Sequence, residues 1–246
     1  MTHILRSEWT KIRSVRSTVW TLAVTALLML GLAILISVAA KSSADGPIPA
    51  AQAVALGTAG TMFAQLSIAT LGVLVISSEY RTGGIRTSLM AVPKRMRLLT
   101  GKVVVFTVTS FAVSTLAAAA SIAAALLVIQ PAALDLADVV RTVFGTGLYL
   151  TACGLFGLAL GTAVRHTPGA IVAAIALMLV LPQLASVLPG QWGKTVNDYF
   201  TTNAGMLVVN PQSDSALGPW SGFGVYLAWV AVAMLAGAVL MKRRDA

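Results

Sequence analysis

Charge is scarce in this chain. Asp, Glu, Lys and Arg make up only 10% of its 246 residues, against about 25% in an average soluble domain. With 57% apolar residues and a mean hydropathy of +0.87, it cannot cover a water-facing surface. A soluble enzyme, a DNA-binding protein and a disordered chain are excluded, and nucleic acid is not an expected partner. There is one cysteine, Cys153, inside an apolar run, so no internal disulfide forms and no redox compartment follows.

Chemistry-bearing residues are equally sparse. The two histidines, His3 and His166, both fall near expected helix ends, on the side that loop charge assigns to the cytoplasm. There is no HExxH and no Ser–His pair at one depth, which argues against an intramembrane enzyme. No Walker A motif is present: Gly101-Lys102 lacks the glycine five residues earlier, where Met96 stands, and Val103 replaces the Ser or Thr. No acid or base lies near the middle of an apolar run. Gln65 is the most polar side chain there, with Ser67, Thr107, Thr109, Ser110, Ser114 and Ser121 as hydroxyls. Ion-driven carriers usually need an intramembrane ionisable group, although sodium sites can be built from carbonyls and hydroxyls.

What the chain does have is six long apolar runs, at about 19–40, 53–77, 103–129, 139–164, 169–188 and 222–241. Each approaches or exceeds the roughly 20 helical residues that cross a 30 Å hydrocarbon core. They lack the strict alternation of a barrel strand, so the expected fold is an all-α membrane protein with six transmembrane helices. The first run is longer than the apolar core of a secretory signal, which is about 7–15 residues, and is read as a retained span.

The net charge is +9. Fourteen of the 17 basic residues fall at the two termini, in 78–102 and at Arg165; three, Lys41, Arg141 and Lys194, fall in the other loops. The positive-inside rule then puts both termini and the 78–102 loop in the cytoplasm.

Residues 3–20, HILRSEWTKIRSVRSTVW, read as a basic amphipathic helix. Leu5, Trp9, Ile12, Val15 and Val19 form an apolar stripe, and Arg6, Lys11, Arg13 and Arg16 lie mostly off it. Such a helix lies in the headgroup plane as an elbow; the alternative is an ordinary basic flank of the first span. Ser17 and Thr18 are expected to turn the chain into that span. Glu8 and Glu79 each sit among basic residues. Spacing favours two exposed acids in weak surface pairs, with cross-pairing that fastens the elbow to the 78–102 loop as the alternative.

In SSEYRTGGIRTSLMAVPKRMRLLTGK (77–102), Gly83 and Gly84 break the helix. Ile85, Leu89 and Val92 then mark a short amphipathic turn that Pro93 ends. Either this turn docks into a groove on a soluble partner, or it is a solvated basic hairpin held by anionic lipid. Residues 189–221 form one long outer loop with an apolar piece, Gly205–Val209, too short to span. It reads as a re-entrant or surface-lying hairpin or as a plain extracellular loop, with Trp192 and Trp220 as interface anchors. Gly154, Gly157 and Gly161, and Gly57 with Thr61, allow close helix approach, more within the chain than at a dimer face.

SEWTKIRSVRST at 7–18, together with EYRTGGIRTSL and the following Pro93, resembles the type-2 ABC exporter permeases. The likeness is greatest to the small stand-alone permeases common in high-GC Gram-positive bacteria. The resemblance extends over the whole chain: six spans, both ends inside, an elbow helix and a long outer loop between spans 5 and 6. It implies a permease of the bacterial cytoplasmic membrane, paired with a second copy or paralogue, with separate ATPase subunits below that hold ATP and magnesium; this chain binds no cofactor or metal. It further implies a coupling helix carrying Glu79, Arg81, Gly84, Ile85, Arg86, Leu89 and Pro93, and a connecting elbow with Arg6, Glu8, Trp9, Lys11 and Arg13. A second, shorter cytoplasmic contact falls at Arg165 and His166. The chain departs from the family's more frequent Gly-Thr with Gly83-Gly84-Ile85. Span polarity is low, so an amphipathic, drug-, peptide- or lipid-like cargo fits better than a sugar. Two competing readings stand beside efflux: a non-transporting anchor or sensor that recruits a partner on the same loop, and an ion-coupled carrier.

Overall fold

A computed structural model describes residues 2–84, 90, 95–211 and 215–243. Among these residues the chain is entirely helical, with no strand. The amphipathic helix α1 (Thr2–Ser14) leads into α2 (Arg16–Ser43). Next come α3 (Ala50–Gly57), α4 (Thr61–Thr82), α5 (Arg95–Ile129) and α6 (Leu136–Val164). Span 5 comprises α7 (Thr167–Ile175), a π-helical turn (Ala176–Val180) and α8 (Leu181–Ser186). Two short helices, α9 (Gly190–Tyr199) and α10 (Thr201–Met206), precede α11 (Pro219–Arg243).

Six helical segments are long and apolar enough to cross a membrane: Arg16–Ser43, Ala50–Thr82, Arg95–Ile129, Leu136–Val164, Thr167–Ser186 and Pro219–Arg243. This is the number the apolar runs predict. Span 3 begins at Arg95, earlier than its apolar run, and the helix runs on through Gly101, which packs on Ile4. Its first two turns therefore carry Arg95, Arg97 and Lys102.

Burial ranks the spans. The most apolar window of α6 is 72% buried inside the protein, against 22% for α2. So α6 is the central post and α2 a peripheral helix that turns most of its surface away from the bundle. The α6 glycines serve contact within the chain. A Cβ on Gly157 would fall 2.0 Å from the Ala69 carbonyl, and one on Gly72 would fall 1.9 Å from the Gly154 carbonyl. Without side chains there, α4 and α6 touch backbone to backbone, the close approach that drives helix association in lipid.

The amphipathic segment is shorter than the 3–20 stripe predicts. The chain breaks at Val15, which is extended (φ −81°, ψ 109°), and α2 starts at Arg16. The Val15 carbonyl accepts the first bond of α2, from the Thr18 N–H. The inward face of α1 also differs from the stripe. Ile4, Glu8, Lys11 and Ile12 face the bundle, while Trp9 stays 49% exposed and Val15 45%. Ile4 nests on Gly101, where a Cβ would lie 2.5 Å from its Cγ2. The contact with α5, not the apolar count, sets the rotation of α1.

Span 5 departs from regular helix in two ways, one of hydrogen-bond register and one covalent. In the π turn the Leu181 N–H bonds the Ala176 carbonyl, one residue further back than in an α-helix, which leaves the Leu177 carbonyl without its usual donor. Pro182 has no N–H, so the Met178 carbonyl also lacks its donor. The hydroxyls of Thr201 and Thr202 donate to these two carbonyls, each at 2.8 Å. The returning hairpin α9–α10 is thus bonded to the break in span 5. Its continuation, Leu207–Val209, is buried, and Gly205 packs on Tyr149 and Tyr226.

Candidate functional site

Four charged side chains from three helices meet where α1 lies across the ends of α4 and α5. Lys102 Nζ donates to Glu79 Oε1 at 2.6 Å and to Glu8 Oε2 at 2.8 Å. Lys11 Nζ donates to Glu79 Oε1 and Glu8 Oε1, each at 2.8 Å. Acid and base alternate round a closed ring, and these four charges sum to zero.

The ring is buried. The Lys102 side chain is 1% exposed, Glu8 5% and Glu79 14%; Lys11 is the open member at 39%. Glu8 and Glu79 are therefore not the exposed acids that spacing favours, and the cross-paired alternative is the one observed. Desolvating ions costs several kcal/mol each, so the ring is weak as a source of stability. Its consequence is positional: each charge has fixed partners, and removing one strands the others. Burial works against the charge on Lys11. Hydrogen bonds and attraction from Glu79 and Glu8 outweigh it and raise the lysine above its usual value. Glu79 makes both contacts through Oε1, and its buried Oε2 has no hydrogen-bond partner among the described residues.

Local sequence explains each placement. Gly83 ends α4 in the left-handed region (φ 71°), as glycine readily does, and leaves Glu79 one turn inside the helix. Lys102 follows Gly101, whose missing side chain admits Ile4 and brings α1 close. Glu79 and Lys102 are 23 residues apart and stand at either side of the loop. Their ion pair closes the base of that loop.

A second tie lies nearby. Arg165 ends α6 in the left-handed region (φ 59°) and sits over the Tyr80 ring at 5.0 Å. It also donates to the Leu240 carbonyl at 3.3 Å, and Arg95 donates to the Met241 carbonyl at 3.0 Å. Two guanidiniums thus cap the C-terminal carbonyls of α11, the negative end of its dipole. His166 caps α7, its Nδ1 accepting from the Gly169 N–H at 3.3 Å. Thr167 bonds Ser77 of α4 at 2.9 Å.

Of the residues singled out in the sequence, Glu8, Lys11 and Glu79 come together in the ring. Arg6, Trp9 and Arg13 face outward on α1, and Arg81 is exposed at the end of α4. Gly84 follows the Gly83 cap. Ile85, Arg86, Leu89 and Pro93 lie outside the described residues. Lys102 and Arg95 were missed as individual residues. The signal for Lys102 was present: a lone lysine directly ahead of an apolar run, with two acids elsewhere on the same side of the membrane.

Residues 4–181 match the family described as ABC-2 family transporter protein, from the first turn of α1 to the start of α8. The chain belongs to the ABC-2 transporter family. No curated protein matches it. ABC-2 permeases are multi-pass membrane subunits that generally work with an ATPase subunit. In this ABC-2 chain the matched region contains all four ring residues and both ends of the loop.

Proposed function

We propose that this chain is the membrane-spanning permease subunit of an ATP-driven exporter in a bacterial cytoplasmic membrane, with both termini inside. A separate ATPase subunit carries ATP and magnesium and docks on the 79–93 loop. Two permease chains pair, as identical copies or paralogues, and the cargo is amphipathic: a drug, a peptide or a lipid. The α9–α10 hairpin enters from the outer side without crossing.

The observation that carries this reading is the closed base of the loop. A displacement applied to a loop pinned by Glu79–Lys102 reaches spans 2 and 3 together. The same ring bolts α1 to that base. Arg165 and Arg95 extend the connection to the last span. ATP closing the ATPase dimer then acts on one joined body, and the nucleotide shifts access through its differential affinity for the two states.

Co-purification tests it. The chain is tagged after Ala246 and extracted from its native host in mild detergent. A stoichiometric soluble ATPase, lost when Ile85 and Leu89 are both replaced by Asp, is the expected result. Recovery without any nucleotide-binding subunit, under conditions that hold known complexes together, refutes the permease assignment.

A further inference from the structure

Gln65 lies 14 residues before Glu79 on α4, about 21 Å along the helix, near the middle of the Ala50–Thr82 span. There a cavity of about 130 Å³ opens between α4, α6, the π turn, α8 and α10; Gln65, Tyr149, Met178, Gln183, Thr202 and Asn203 are among its lining residues. It adjoins a pocket of about 250 Å³ that shares Pro182, Gln183, Asn203 and Met206 with it and carries Asp198 on its far wall.

Gln65 is 4% exposed. Its Oε1 accepts from the Tyr149 hydroxyl, and its Nε2 has no hydrogen-bond partner among the described residues. That nitrogen is not sealed in the packed interior; Gln65 lines the cavity, where its Nε2 can donate to an occupant. The other polar groups of the inner cavity are hydroxyls and amides, all neutral. An ionic group there would be desolvated without a counter-charge, which is costly. The methionines Met62, Met178 and Met206 give adaptable apolar walls. At about 130 Å³ the cavity is slightly smaller than an engineered one of about 150 Å³ that holds benzene, so a sugar-sized occupant must extend into the adjoining pocket of about 250 Å³.

We propose that this cavity is a binding pocket, within one chain, for a neutral hydroxyl- or amide-bearing group such as a carbohydrate or glycerol head. Its mouth faces away from the ring; calling that side the outside rests on the proposed topology, while the pocket itself does not. The occupant is either a free polar solute or the head of an alkyl-tailed molecule, and the two share the same recognition.

Cysteine protection distinguishes them. Met206→Cys and Gln183→Cys are made in the full chain; the native Cys153 is buried and stays unlabelled. Right-side-out vesicles are treated with a membrane-impermeant methanethiosulfonate, alone or with glucose, hexyl glucoside or hexyl sulfate. Both positions are expected to label from outside. Hexyl glucoside, at about twice its Kd, slows labelling of Met206→Cys about threefold, and hexyl sulfate does not. Equal protection by glucose supports a free solute; protection that needs the hexyl tail supports an alkyl-tailed one. Gln65→Leu abolishes protection while labelling and the melting temperature persist. Equal protection by hexyl sulfate, protection that survives Gln65→Leu, or no labelling of Met206→Cys from either face overturns the pocket. Labelling only from the face bearing the termini overturns the proposed orientation and leaves the pocket standing.

Discussion

Lys102 Nζ stands 2.6 Å from Glu79 Oε1, across the base of the loop that separates spans 2 and 3. Because the same ammonium holds Glu8 at 2.8 Å, one lysine joins three helices. Lys102→Met strands two carboxylates with only Lys11 between them. Breaking a buried pair in this way costs about 3–5 kcal/mol. The expected result is a large drop in melting temperature in detergent. The fourfold neutral variant, Glu8→Gln, Lys11→Met, Glu79→Gln and Lys102→Met, should unfold close to the wild type, since no charge is left unpaired. A single variant as stable as the wild type contradicts the ring.

Lys11 gives the ring a pH dependence whose sign follows from its raised value. A base whose pKa is raised on folding contributes stability below its unfolded value, here 10.5, and loses it as pH climbs through the higher folded value. A spin label at Arg13→Cys should stay immobile at neutral pH and gain mobility only above about pH 10.5. Lys11→Met should remove that step. Mobility that rises between about pH 8 and pH 10 in the wild type would contradict the pairing.

The contact of α4 with α6 predicts a contrast between glycines. Gly72→Ala pushes a methyl group onto the Gly154 carbonyl, and forcing atoms into a packed interior typically costs about 1–3 kcal/mol or more. Gly31→Ala on α2 meets nothing within 4 Å and should leave the melting temperature unchanged or slightly higher. Equal tolerance at both sites would rule out the backbone contact.

The break in span 5 predicts a coupling between Thr202 and Pro182. Thr202→Val removes the donor to the Met178 carbonyl and should cost about 1–3 kcal/mol. Pro182→Ala restores a backbone N–H in reach of that carbonyl. The cost of Thr202→Val should therefore shrink in the Pro182→Ala background, measured as a double-mutant cycle of melting temperatures. Thr201→Val, which serves the Leu177 carbonyl, should be indifferent to Pro182→Ala. Additive behaviour at Thr202 would contradict the assignment of the bond.

The spans were legible because lipid imposes one simple demand, a long apolar helix, and nothing in the six runs conflicts with it. The family was legible from two basic segments. The ring was only half legible. Glu8 and Glu79 drew attention as acids among bases, but Lys102 lies 94 residues from Glu8 and counted as one more positive flank. Exposure follows from the rotation of α1, which Gly101 and Ile4 decide, and no periodicity carries that. The π turn left no mark in the apolar pattern. Pro182 was its only trace, and its partners Thr201 and Thr202 stood in a loop whose return into the bundle the sequence left open.

The most direct test places a benzophenone amino acid at Leu89 or at Trp192 in the native membrane and applies light. The account predicts an adduct between this chain and an ATPase subunit from position 89, none from position 192, and a weaker adduct when Lys102→Met loosens the base of the loop. A Leu89 probe that labels only lipid, or a protein that binds no nucleotide, would contradict it.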